Sequence, residues 1–128
     1  MNLLLDTHVA LWAITDDSRL PEHAKVLILA SKTRVWVSAA SIWEITIKYA
    51  LGRGDMPVSG REALEYFRDA GYFLLDIEAE HAAAVADLDN HHQDPFDRIL
   101  IAQALTEPMR LMTRDATVAR YSDTIIKI

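Results

Sequence analysis

Leu3-Leu4-Leu5-Asp6-Thr7-His8-Val9-Ala10-Leu11-Trp12-Ala13-Ile14 changes its pattern at a single residue. The leucines before Asp6 read as a buried strand, and Thr7 to about Ile14 reads as a helix that follows at once. The same passage recurs down the chain. Arg34 to Ser38 (RVWVS) is rich in β-formers and leads into a helix from Ala40 to Leu51, with Gly52 as its stop. Tyr72–Leu75, Arg110–Thr113 and Thr124–Ile128 read as further strands. Helices are expected from Pro21 onward, with Val26, Leu27, Leu29 and Ala30 on the apolar side, and over Arg61–Ala70, ending at Gly71. Three more are expected over the Ala-rich Glu78–Leu88, from Pro95 to about Thr106, and over Ala116–Tyr121. Gly54 to Gly60, with Pro57, reads as a loop, and Asp89 to Gln93 as a polar connection. Strands separated by helices imply an α/β fold with a mostly parallel sheet and helices on both faces. Ligands of such sheets bind beyond the carboxyl ends of the strands, and that is where chemistry is to be sought.

The chain has 128 residues, the size of one ordinary domain, and residues 1–128 are read as one. Without cysteine it has no disulfide, thiol nucleophile or thiolate metal ligand. Hydrophobic residues make up 51% and charged residues 25%, which describes a globular protein. No apolar run approaches the ~18 residues of a membrane span. Met1 to Asp6 lacks the basic region and cleavage site of a secretion signal, so a cytoplasmic protein with no membrane partner is expected. Nineteen acids against thirteen Lys and Arg give a net charge of −6, which argues against a basic coat wrapping nucleic acid nonspecifically. Residues 1–64 hold seven acids and seven bases, whereas residues 65–128 hold twelve acids and six bases.

Four acids stand where ligands of this fold bind, and each also has a local explanation. Asp6 follows the first strand and suits the N-cap of the next helix. Glu44 follows the second strand by one helical turn. Ser41-x-x-Glu44 fits a capping box and Glu44 with Lys48 an i,i+4 ion pair, yet Ile42, Trp43, Ile45 and Ile47 surround it, and a carboxylate there needs a partner. In Asp94-Pro95-Phe96-Asp97, Asp94 is a natural N-cap and Asp97 in the first turn suits the helix dipole. Asp115 follows the fourth strand and can cap the short helix after it. Their joint placement says more. Asp6, Glu44 and Asp115 fall at one edge of the sheet, and Asp97 begins a helix able to converge there. Four carboxylates together cannot all stay ionised without compensating charge. Mg²⁺ supplies it through oxygen ligands, and Mn²⁺ also suits such a site. The chemistry that follows is metal-assisted hydrolysis of a phosphate ester.

Leu4-Leu5-Asp6-Thr7-His8 with Leu11-Trp12, then Ser41-x-Trp43-Glu44-Ile45-x-Ile47-Lys48, then Asp94-Pro95-Phe96-Asp97-Arg98-x-Leu100-Ile101-Ala102-Gln103-Ala104, then Thr113-Arg114-Asp115 together resemble the PIN-domain family, most closely VapC-type toxins of toxin–antitoxin modules. The resemblance covers essentially the whole chain, and the Asp94–Ala104 stretch is its most specific part. It implies a three-layer α/β/α sandwich carrying an endoribonuclease dependent on Mg²⁺ or Mn²⁺, homodimeric and silenced by a cognate antitoxin. The family's acidic quartet falls on Asp6, Glu44, Asp97 and Asp115, as catalytic residues and metal ligands. Water activated by the metal attacks the RNA phosphodiester in line, leaving a 5′-phosphate. Asp94 is an extra acid, either cap or support to the ligands. Thr7, His8, Arg98, Thr113 and Arg114 are candidates for contact with substrate or ligands.

The remaining residues carry less. His91-His92 reads as a surface loop, His23 and His81 as helix-surface residues, and His8 as packing or a phosphate contact. Arg98 and Arg114 either meet phosphate or pair with the acids. Lys48, Arg53 and Arg61 are candidates for a modest basic lip. Trp12, Trp36 and Trp43 are expected in the core or at an interface. Two other functions are open: a Mg²⁺-dependent phosphatase, against which His8 stands where Asp-x-Asp needs its second acid, and a binding module without catalysis, against which the complete quartet counts.

Overall fold

A computed structural model describes residues 1–54 and 56–128; Asp55, inside the stretch read as the Gly54–Gly60 loop, lies outside the described residues. The strands are β1 (Asn2–Leu5), β2 (Arg34–Ser38), β3 (Phe73–Leu75), β4 (Arg110–Thr113) and β5 (Ile126–Lys127). They form one sheet in the order β3-β2-β1-β4-β5, with every pair parallel. The helices are α1 (Thr7–Thr15), α2 (Glu22–Leu29), α3 (Ala39–Ala50), α4 (Gly60–Asp69), α5 (Ala79–Ala84), α6 (Pro95–Thr106) and α7 (Ala116–Ala119). None of the described helices is long and apolar enough to cross a membrane.

β1 explains why three leucines stand in a row. Side chains of a strand alternate between the two faces of the sheet. Leu3 and Leu5 enter one core with Val9, Val35, Val37, Ile45 and Phe67. Leu4 enters the other, with Ala40, Leu100, Ile101, Leu111 and Val118. All three leucines are fully buried because helices cover both faces, which completes the α/β/α sandwich. The chain runs outward from β1 through β2 to β3, then starts again on the other side of β1 with β4. That reversal leaves a crevice at the carboxyl ends of β1 and β4.

Several local features differ from expectation. Ser38, not Ser41, caps α3, so Ser41 and Glu44 lie within the helix and the capping box expected there does not form. The box occurs instead at Ser59 and Glu62, opening α4. In α2 the buried residues are Ala24 and Ile28, while Val26 and Leu29 are exposed; small Ala24, one turn before Ile28, is the face that packs. The Ala-rich stretch divides into α5 and a 3₁₀ turn over Val85–Asp87. His81 is not on the surface but fully buried, accepting from the Glu78 amide and pairing with Glu107. Gly60 lets α4 approach α3 closely: a Cβ there would overlap Thr46 Oγ1 and lie 3.0 Å from Thr46 Cβ.

Candidate functional site

The crevice at the β1–β4 switch is lined by Asp6, His8, Trp12, Glu44, Lys48, Asp94, Asp97, Arg114 and Asp115. Each acid arrives from a different place. Asp6 leaves the end of β1 and caps α1, its Oδ1 accepting from the Val9 amide at 2.9 Å. The Thr113 hydroxyl, at the end of β4, donates to its other oxygen at 2.6 Å. Capping therefore occupies one oxygen of Asp6 and leaves the carboxylate aimed at the crevice. Burial pushes the Asp6 carboxyl above the usual range, although Thr113 and Val9 pull it down.

Glu44 lies within α3 and is only 4% exposed. The Thr7 hydroxyl donates to its Oε1 at 2.6 Å, and Lys48, one turn later, reaches its Oε2 at 2.6 Å. Burial works against the Lys48 charge, but Glu44 and then Asp94 and Asp97 outweigh it and raise its pKa. Asp94 caps α6 through the Phe96 and Asp97 amides, so its capping role is formed while it also lines the crevice. Asp97, in the first turn of α6, has a carboxyl pushed up to about 7, by burial first and then by the charges of Asp94 and Asp6. Asp115 caps α7 through the Thr117 and Val118 amides. Burial raises its pKa, but the His92 hydrogen bond and those two amides bring it below the usual value.

The substrate candidates separate. Thr7, His8, Thr113 and Arg114 stand at the site, Arg114 with its guanidinium 5.6 Å from the Trp12 ring centroid. Arg98 does not: it donates to the carbonyls of Val85, Asp89 and His92 and to Tyr121 Oη, holding the 85–92 segment together. Arg53 and Arg61 are exposed, whereas Lys48 is engaged by Glu44. Trp12 is buried and Trp36 packs on Phe73 with ring centroids 4.9 Å apart. Trp43 is 59% exposed and meets Phe96 edge-on.

His92 is the residue the sequence reading left on the surface. Its Nε2 lies 3.1 Å from Asp115 Oδ2 and 3.2 Å from Asp97 Oδ2. Its position depends on Tyr121, whose hydroxyl accepts from the His91 and His92 amides across some thirty residues of sequence. No local pattern announces such a contact. His91 instead sets its ring edge-on against Tyr121.

Five carboxylates face one lysine and one arginine in this crevice. Burial first and then repulsion from Asp94 and Asp6 raise the Asp97 pKa to about 7, and the acids of the crevice outnumber its Lys and Arg. A divalent cation with oxygen ligands fits that deficit.

Residues 3–123 match the model of the PIN domain family, and the chain belongs to that family. No curated protein sequence matches it significantly. Among solved structures, it is similar over 100% of its length to 98% of a chain in VapBC2 of Rickettsia felis bound to a promoter DNA fragment, at 17% identity and a TM-score of 0.70. DNA-bound VapBC of Salmonella typhimurium matches at 16% identity and a TM-score of 0.66, covering 100% of this chain and 97% of that one. A PIN domain endonuclease matches at 17% identity and a TM-score of 0.53, over 93% of this chain and 74% of that one. At these identities the likeness speaks to the fold.

Proposed function

We propose that this protein, as one PIN-type domain, is a metal-dependent endoribonuclease and the toxin of a toxin–antitoxin pair. The observation that carries the reading is the gathering of Asp6, Glu44, Asp97 and Asp115 at the crevice where a doubly wound sheet binds its ligands. The similarity to chains of VapBC complexes supports an antitoxin as the protein partner; a cytoplasmic location and a homodimer are part of the same proposal.

Asp6, Glu44 and Asp97 are the proposed holders of Mg²⁺ or Mn²⁺, with Asp115 completing the set. When bound, the cation lowers the pKa of a coordinated water and offsets charge on the phosphoryl oxygens. The chain's own residues do the rest. Thr113 and the Val9 amide fix the Asp6 carboxylate, and Thr7 with Lys48 fixes Glu44, so neither must reorganise when substrate arrives. Arg114 supplies a guanidinium at the crevice, matched in shape to an RNA phosphate. His8, half-buried at the same wall, is a second candidate contact.

The test is RNA cleavage by the purified chain, freed of any antitoxin, with Mg²⁺ or Mn²⁺. Cleavage is expected, and Asp6→Asn or Glu44→Gln should lower it by at least ~100-fold while the circular dichroism spectrum stays unchanged. Intact RNA under all these conditions would overturn the reading; full cleavage by either variant would remove that residue from the ligand set.

A further inference from the structure

His92, Asp97 and Asp115 each present one donor atom within 4.8 Å of the others, spacing that by itself would admit a metal ion. The ring of His92 argues otherwise. A backbone amide can only donate, and the Asp94 amide points at His92 Nδ1 from 3.0 Å. Nδ1 must accept that bond, which places the ring proton on Nε2. Nε2 is the nitrogen that faces Asp97 and Asp115: it donates to Asp115 Oδ2 at 3.1 Å, lies 3.2 Å from Asp97 Oδ2, and has no lone pair for a cation. The residue cannot readily turn away. Its amide is held by Tyr121 Oη at 2.8 Å and its carbonyl by Arg98 Nη1 at 3.2 Å.

We propose that His92 is a positioning residue whose Nε2–H, bonded to Asp115 beside Asp97, closes that side of the crevice to a cation, so that the site takes a single divalent ion. The inference rests on the metal-dependent reading of the crevice. The hydrogen bond fixes the oxygen that Asp115 presents and sets the imidazole N–H, rather than a second cation, between Asp115 and Asp97. Asp97 keeps its remaining oxygen for the ion, while Asp115 serves by orientation.

The experiment is Mn²⁺ loading of the metal-free chain, counted by electron paramagnetic resonance and examined by its pulsed form for nitrogen coupling. One Mn²⁺ per chain without imidazole coupling is expected. His92→Ala, which frees the two carboxylates, should bind two; His92→Gln, which keeps a donor, should return toward one. A nitrogen coupling in the wild type that His92→Ala removes would overturn the proposal by making His92 a ligand. Two ions in the wild type would overturn it as well. Should His92→Ala not fold, the wild-type coupling and His92→Gln still decide. Absence of any Mn²⁺ binding would sink the metal reading of the whole crevice, an outcome distinct from a nitrogen-coupled ion, which sinks only the role of His92.

Discussion

Asp97 is an acid whose surroundings conflict with its charge. Its pKa of about 7 in the folded chain stands against 3.8 for an unperturbed aspartate. The folded state therefore holds this proton more tightly than the unfolded chain does. The resulting stabilisation is complete below the unfolded value and is lost as pH rises through about 7. Asp97→Asn cannot lose it. In the presence of a chelator, the variant is expected to melt higher than the wild type at pH 8 and the difference to shrink toward pH 4. A thermal melting series across that range checks this, and equal melting temperatures at pH 8 would contradict it. Added Mg²⁺ should reverse the ranking by stabilising the wild type far more, since a ligand bound only by the native state raises its stability.

At the scale of elements, the α3–α4 contact leaves no room for a methyl at Gly60. Gly60→Ala puts a methyl into Thr46 Oγ1, and overpacking of this kind costs about 1–3 kcal/mol. Chemical denaturation should show that loss, and adding Thr46→Ala should recover part of it by removing the clashing oxygen. Elements are also where the limits of reading from sequence become physical. Strands β1, β2 and β4 and their following helices were legible because a doubly buried strand needs consecutive apolar residues and because Asp6 and Asp115, after β1 and β4, make good caps. That rule singles out Asp6 and Asp115; Glu44 and Asp97 lie inside helices capped by Ser38 and Asp94, and stand out by apolar neighbours and by a place in the first turn, respectively. α2 was not oriented correctly, because Ala24 packs by being small and carries little apolar signal compared with exposed Leu29. His81 was misplaced for a related reason: four of the six residues of its helix are alanine, too little apolar contrast to set the inside from the outside. His92 depends on a distant tyrosine and a backbone amide, contacts that no spacing rule contains.

For the molecule as a whole, the charge of −6 and the acids in the crevice point the same way. RNA and the metal-free site repel one another, so affinity for RNA should appear only with divalent cation present. Using the uncleaved-RNA condition of an Asp6→Asn variant in place of turnover would confuse the two effects. The cleaner measurement is wild-type binding to a nonhydrolysable RNA analogue, with Ca²⁺ or Mg²⁺ and with chelator; equal binding in both would contradict this account. The sheet order also sets when during synthesis the crevice can form. The Thr113–Asp6 hydrogen bond closes over 107 positions of sequence, and β1 lacks its β4 neighbour until residues 110–113 exist. Contacts of such separation form late and slowly. On a ribosome, every nascent chain shorter than that holds Asp6 with no hydroxyl to orient it and half a sheet around it. Synthesis thus completes the crevice last, and a fragment released before residue 113 lacks the β4 wall that orients Asp6.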